Sequence, residues 1–267
     1  MDLTKETTFD LPVKYKNLLL YPVRVKQLSE FTVFSECLKT EKNNIPDANI
    51  ITMTELKYLY WATEQNEKTP YIYMLDRLLS LVLQDEESFK DILKSISRYK
   101  YTPDGKPFFI IGDNKYDSKD YEKIKKIIAT QNMIDLPDEN MSKEVRDSLE
   151  QARRYRAKIH GGGAPASLED YIIAVAISTG WSLEYVYDMT IRKFQKAMSR
   201  MDNLIHYKIY LTSSLSGMVD FKDKSIIKHW LSNLDSKDKY SDVSVNLEEM
   251  QKKLSPDGGK TNNKKYS

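Results

Sequence analysis

Apolar residues recur at three- and four-residue spacing along most of this chain and alternate in only two short places. The first alternation follows Asp10, in DLPVKYKNLLLYPVRV. Val13 and Tyr15, then Leu18 and Leu20, lie on either side of Lys16-Asn17, which predicts a short hairpin. Pro22 places its second strand at an edge. The nine residues before it read as a frayed start. Ser29 caps, or lies near the start of, a helix with Phe31, Phe34, Cys37 and Leu38 on one face. Glu41 to Asn49, with Pro46, reads as a polar loop. Thr52 with Glu55 forms a capping-box pattern ahead of Leu56, Leu59, Tyr60 and Ala62. Thr69-Pro70 starts another helix to about Gln84, bearing Ile72, Leu75, Leu78, Leu79 and Val82. Asp85 starts a third, with Phe89, Ile92, Leu93 and Ile96.

The second alternation sits at 98–117. Arg98 to Tyr101 and Pro107 to Ile111 flank the turn Thr102-Pro103-Asp104-Gly105, and a turn at Gly112-Asp113-Asn114 leads to a third strand at Lys115 to Asp117. Ser118 begins a helix with Tyr121, Ile124, Ile127 and Ile128 inward and its lysines outward. After the link Gln131 to Asn140, Ser142 starts an Arg- and Glu-rich helix to about Lys158. His160-Gly161-Gly162-Gly163-Ala164-Pro165 reads as a hinge.

The stretch Ser167 to Gly217 is the most legible. Ser167 is a good N-cap, with Asp170 completing a near capping box. Leu168, Tyr171, Ile172, Ile173, Val175, Ala176 and Ile177 surround the helix axis, which predicts burial on most sides. Gly180 suits a left-handed C-cap, with Trp181 folding back onto Val175 or Ala176. Ser182 caps a short helix carrying Leu183, Val186, Tyr187 and Met189. A third runs from about Thr190 through Tyr210, with Ile191, Phe194, Ala197, Met198, Met201, Leu204 and Ile205 in phase, and Gly217 ends the run.

The expected fold is therefore mainly α: a multi-helix protein with short antiparallel hairpins in its N-terminal half and a compact C-terminal helical module. The expected division is a flexible N-terminus at 1–10, an α+β domain at 11–160, a Gly-rich linker at 161–166, the helical module at 167–234 and a largely disordered tail at 235–267. Within that tail, Tyr240 to Leu254 reads as a weak helix.

Composition narrows the function. The 267 residues are 40% hydrophobic and 30% charged, with 41 basic against 39 acidic side chains. A net charge of +2 lacks the basic excess of a general polyanion binder. Cys37 is the single cysteine, so no intrachain disulfide forms. The opening MDLTKETTFD has no signal-peptide core. The most apolar run, Tyr71 to Leu83, is too short for a bilayer and holds Asp76 and Arg77, so no membrane partner is expected.

Catalytic patterns fail one by one. The glycines after His160 resemble an oxyanion-hole loop, but no G-x-S-x-G turn accompanies them, and Ser213, Ser214 and Ser216 before Gly217 have the wrong spacing. Gly259-Lys260-Thr261 ends like a phosphate loop, but Leu254 stands where its first glycine belongs. His160, His206 and His229 show no metal-binding spacing. Asp113 and Asp117 are spaced like calcium ligands, but Lys115 and Ser118 occupy required positions. No catalytic, cofactor or metal residue is assigned, and the chain is read as a non-enzyme. Arg153, Arg154, Arg156 and Lys158 with Tyr155 form the best nucleic-acid candidate, yet Glu144, Asp147 and Glu150 on the same helix favour a plain solvated face.

Three stretches together resemble the tail or baseplate-hub assembly chaperones of contractile-tailed bacteriophages: LPVKYKNLLLYPVRVKQLSEF, YEKIKKIIATQNMIDLPDE, and SLEDYIIAVAISTGWSLEYVYDMTIRKFQKAMSRMDNLIHYKIYLTSSLSGMVDF. They sample the chain from residue 11 to past 217, with gaps, and carry no catalytic signature. The resemblance implies a non-enzymatic protein of the host cytoplasm during phage assembly. Its implied partner is a tape-measure or baseplate-hub protein, held until the tail tube is built around it. Self-association stays open. Met189, Met198, Met201 and Met218 with Phe194 and Tyr187 are candidates for a helix-binding surface, against the favoured reading that they fill the module's own core. The alternatives are a structural component retained in the virion tail or baseplate, and a nucleic-acid adaptor using the Arg153 to Lys158 helix.

Overall fold

The computed structural model describes residues 3–40, 47–65, 70–83, 99–137 and 166–217, with isolated positions between them and as far as 232. The helix expected from Asp85, most of that expected from Ser142, the cap Thr69, the glycine-rich linker, the Arg153 to Lys158 cluster, Met218 and the tail after 232 lie outside the described residues. Met1–Glu139 and Ala166–Leu231 form one compact unit. Asn140–Pro165 and Ser232–Ser267 form a second, of which only scattered residues are described.

The fold is mainly α with two small antiparallel sheets. Where the sequence predicts a frayed start, α1 (Thr4–Thr8) forms, with Thr7 buried and its hydroxyl donating to the Leu3 carbonyl at 2.8 Å. The hairpin has the expected register, β1 (Val13–Tyr15) against β2 (Leu18–Leu20), with Val13 opposite Leu20 and Tyr15 opposite Leu18. Its turn residue Lys16 takes a positive φ of 51°. A 3-10 turn at Val25–Gln27 leads into α2 (Leu28–Phe34), which tightens into a second 3-10 turn at Ser35–Leu38. Ser29 therefore lies inside the first turn of α2 and does not cap it. Phe31, Cys37 and Leu38 are buried as expected.

Two local readings change. The polar loop before residue 50 ends in α3 (Ala48–Ile51), because the Asp47 carboxylate accepts the Asn49 N–H at 2.8 Å. Thr52 terminates α3 and its hydroxyl turns back to the Ala48 carbonyl. The cap of α4 (Glu55–Gln65) is consequently Thr54, whose hydroxyl accepts the Lys57 N–H at 3.4 Å. In α5 (Tyr71–Leu83) every residue from Leu78 to Leu83 is buried, so this helix runs through the core.

The second sheet is a meander of β3 (Tyr99–Tyr101), β4 (Pro107–Ile111) and β5 (Asn114–Asp117). Gly112 supplies the positive φ, 56°, of the tight β4–β5 turn. Phe109 stacks on Tyr116, with ring centroids 5.4 Å apart. Tyr60 of α4 donates to the Phe108 carbonyl at 2.7 Å, joining helix and sheet. Asp117 caps α6 (Ser118–Asn132), accepting from the N–H groups of Lys119 and Asp120. On α6, Tyr121, Ile124, Ile127 and Ile128 are buried as the spacing predicts. Each such side chain contributes about 1.5–3 kcal/mol in transfer terms. Lys125 departs from the expectation that the lysines of this helix face outward. It points inward and pairs with Glu55, their side chains 6% and 10% exposed. The lone thiol of Cys37 is fully buried, and burial pushes its pKa well up, offset only in part by Lys125. Such a thiol is unreactive.

Asp120 ties the first hairpin to α6. Its carboxylate accepts from Tyr15 Oη at 2.7 Å, Lys16 Nζ at 2.6 Å and the Asp117 N–H at 3.1 Å. Burial would raise this carboxyl, but the hydrogen bonds from Lys16 and Tyr15 outweigh it and hold it below its ordinary value. Burial and the Asp120 carboxylate push the Tyr15 hydroxyl up to about 12. A depressed folded-state carboxyl stabilises the protein above the unfolded value, and that contribution is lost as pH falls through the folded value. Asp120→Asn is therefore expected to lower stability by about 1–3 kcal/mol at neutral pH. Its deficit in thermal midpoint should shrink as pH falls below 3.8; a deficit independent of pH would show that the charge is not what matters.

Candidate functional site: a cleft between two helices

The stretch 167–217 folds as α7 (Leu168–Thr179), α8 (Leu183–Asp188) and α9 (Ile191–Leu215). The caps Ser167 and Ser182 are those the sequence predicts, and Thr190, expected near the start of the third helix, proves to be its cap. Ser167 and Asp170 form a capping box, Ser182 accepts the Tyr185 N–H, and Thr190 accepts the Lys193 N–H. Gly180 takes the left-handed C-cap of α7, φ 73°. Trp181 is 40% exposed and packs its ring edge-to-face on Tyr185, with centroids 5.3 Å apart.

This part of the chain is anchored on the segment after the first hairpin. The Val25 N–H donates to the Met189 carbonyl and the Ile191 N–H to the Val23 carbonyl, both at 2.9 Å. Asp188 pairs with Lys26 at 2.7 Å and Arg24 at 3.4 Å. Asp10 accepts from the Thr190 hydroxyl at 3.0 Å and pairs with Lys193 at 2.6 Å. Ile191 then enters the main core, while Val25 enters a second core made with Ile172, Val175, Ala176, Val186, Met189 and Phe194.

That second core corrects one expectation and divides the candidate binding side chains. Only Ile172, Val175 and Ala176 of α7 are buried. Ile173 and Ile177 are exposed, at 39% and 77%, because α7 packs through one face and not all round. Of the candidate binding side chains, Met189 and Phe194 fill the core and are unavailable to a partner, and Tyr187 is exposed. Met198 and Met201 are only partly buried against that core and line a surface cleft.

The cleft has a volume of about 360 Å³, between α7 and α9. Tyr171, Ala174 and Val175 form one wall, and Met198, Met201, Asp202 and Ile205 the other. Its origin lies in the length of α9, 25 residues, or about 38 Å. Ile191, Phe194, Met198, Met201, Ile205 and Ile209 fall on one side of that helix at three- and four-residue spacing. The first two are buried, whereas Ile205 and Ile209 are 51% and 52% exposed. The apolar face thus outruns its cover. Another side of α9 is occupied by the returning chain: Tyr207 packs on His229, Tyr210 on Phe221, and Arg200 donates to the Trp230 carbonyl at 2.9 Å.

The cleft holds little polar chemistry. His206 Nδ1 lies 3.4 Å from Asp202, and both side chains are exposed. His229 stands between the rings of Tyr207 and Trp230, and its Nδ1 accepts the Leu231 N–H at 3.2 Å. No group of three or more His, Cys, Asp or Glu among the described residues is arranged to hold a metal ion. Among them, no helix is long and apolar enough to cross a membrane. The arrangement offers an apolar trough with adaptable methionines, suited to packing against a helix. The sequence periodicity places Met198, Met201 and Ile205 correctly on one face, but it contains no signal that separates a covered stretch of that face from an open one.

No curated protein and no solved structure matches the chain. Residues 158–235 match the family model of the YomV second domain, a phage-derived family associated with a Bacillus prophage. That span takes in α7, α8 and α9, so both walls of the cleft lie in the part of the chain that is similar to a phage domain.

Proposed function

We propose that this protein is a non-enzymatic assembly chaperone of a phage tail or baseplate. It holds an amphipathic helical segment of a tape-measure or hub protein in the α7–α9 cleft before the tail tube is built. The observation that carries this reading is the open continuation of the α9 apolar face, from Met198 to Ile209, beyond the part that packs in the core. A tail protein that exposes long apolar helix faces before assembly needs reversible cover, and helix-in-groove binding supplies it. The similarity of residues 158–235 to a phage-derived domain fits the same setting.

The test is a tagged capture from phage-producing cells, paired with mass spectrometry of purified particles. The expected result is co-purification of a tape-measure or hub protein, with this chain missing from finished particles. A fixed copy number in the particles would make it a structural component of the virion. Failure to bring down any tail protein would overturn the reading.

A further inference from the structure

We infer that the tail protein offers two packed helices to α9, one in the cleft and one alongside it on a second apolar row. The inference rests on the cleft reading above and extends the binding surface past the cleft. At about 100° of rotation per residue, Met198, Met201 and Ile209 all lie within about 40° of Ile205 around the α9 axis. They form the first row. Leu204, Leu211 and Leu215 form the second, about 80–120° round to one side of Ile205. Its steps of seven residues and then four are those of a helix-packing seam. Lys208 falls between these leucines, and a lysine there lays its methylene stem along apolar surface while its charge stays in water. None of the three leucines lines the cleft. Leu204 is half-buried, and Leu211 and Leu215 are 37% and 78% exposed. The other flank of the helix is polar, with Ser199, Asp202, His206 and Ser213. Its back is the side that the returning chain occupies at Arg200, Tyr207 and Tyr210. The apolar surface of this half of α9 therefore spans about 160°, wider than the roughly 100° stripe of a helix packed on one side only. A single helix in the cleft meets the first row and leaves the second in water. Two helices packed on each other meet both, as neighbours do around a helix within a bundle. The rows run together from Met198 to Leu215, about 26 Å of helix.

The experiment uses the full chain and the tail protein identified by the capture described above. Leu211→Gln combined with Leu215→Gln is expected to capture that protein at least about tenfold less well than wild type. The melting curve should stay unchanged, because both leucines are exposed and glutamine is a good helix former. Limited proteolysis of the wild-type complex, read by mass spectrometry, should leave a tail-protein fragment with two stretches of apolar three- and four-residue periodicity. Full capture by the double variant, or a protected fragment with one such stretch, would overturn the inference and leave the cleft reading intact. Dimers of the wild-type chain that the double variant cannot form would assign the second row to another copy of this chain and overturn it as well. If the wild-type chain captures no tail protein, the cleft reading and the inference fall together.

Discussion

Glu55→Leu is expected to destabilise this protein by about 3–5 kcal/mol, because it strands the Lys125 ammonium in the core without its counter-charge. The two side chains are 10% and 6% exposed and stand between α4 and α6, the helices that carry Leu56, Leu59, Ile124 and Ile128. Lys125→Met should cost a similar amount by stranding the carboxylate instead. Replacing both, Glu55→Leu with Lys125→Met, should return stability to near the wild-type value, since an apolar pair of similar volume carries no desolvation cost. Urea denaturation of the four proteins, with a common dependence on denaturant, measures the coupling directly. Additive losses in the double variant would show that the pair is not the reason for the cost.

This pair also marks where sequence reading stops. The α6 pattern is legible: Asp117 and Asp120 signal its start, and Tyr121, Ile124, Ile127 and Ile128 define its buried side. Lys125 falls on that same side, four residues after Tyr121 and three before Ile128, and only its charge makes it read as solvent-facing. Its burial depends on Glu55, 70 positions earlier, and a contact at that separation leaves no trace in helical periodicity. Asn132 and Gln131 are similar cases. Asn132 accepts the Val23 N–H at 2.8 Å and Gln131 donates to the Leu20 carbonyl at 3.0 Å, fastening α6 to the end of the first hairpin.

The second large effect is functional. Ile205→Asp should abolish capture of the tail protein, a loss of about 100-fold or more in affinity, while leaving stability within about 0.5 kcal/mol. Ile205 lines the cleft yet is already half in water, so a carboxylate there costs the folded chain little and places a charge on an apolar partner. Ile177→Asp is the matched control. Ile177 is 77% exposed and lies outside the cleft lining, so that variant should capture normally. Normal capture by Ile205→Asp, or equal loss in both variants, would remove the cleft from the proposal.

The difference between these two isoleucines was hidden in the sequence for a physical reason. Apolar positions nearly surround the α7 axis, and a lone sequence cannot distinguish a helix sunk in its own core from one that shows an apolar side to solvent. Met189 and Phe194 against Met198 and Met201 pose the same ambiguity within one periodic series. The caps Ser167 and Ser182 were legible because they are local: each bonds to an N–H three residues on. Thr54 against Thr52 shows how narrow that margin is, since both threonines precede α4 and only the position of α3 decides between them.

The pairing of Val23 to Val25 with Met189 to Ile191 bears on how this chain is made. The Arg24 guanidinium reaches the Asp188 carbonyl across 164 positions, and Asp10 meets Thr190 across 180. Closing contacts of such high order slows folding relative to a chain of local contacts. It also sets a schedule during translation: the hairpin end and Val25 wait, uncovered, until the ribosome has delivered the last of α8 and the first turn of α9. Until then the nascent N-terminal half carries an incomplete edge, so synthesis of the helices that form the cleft is also the step that seals the beginning of the protein.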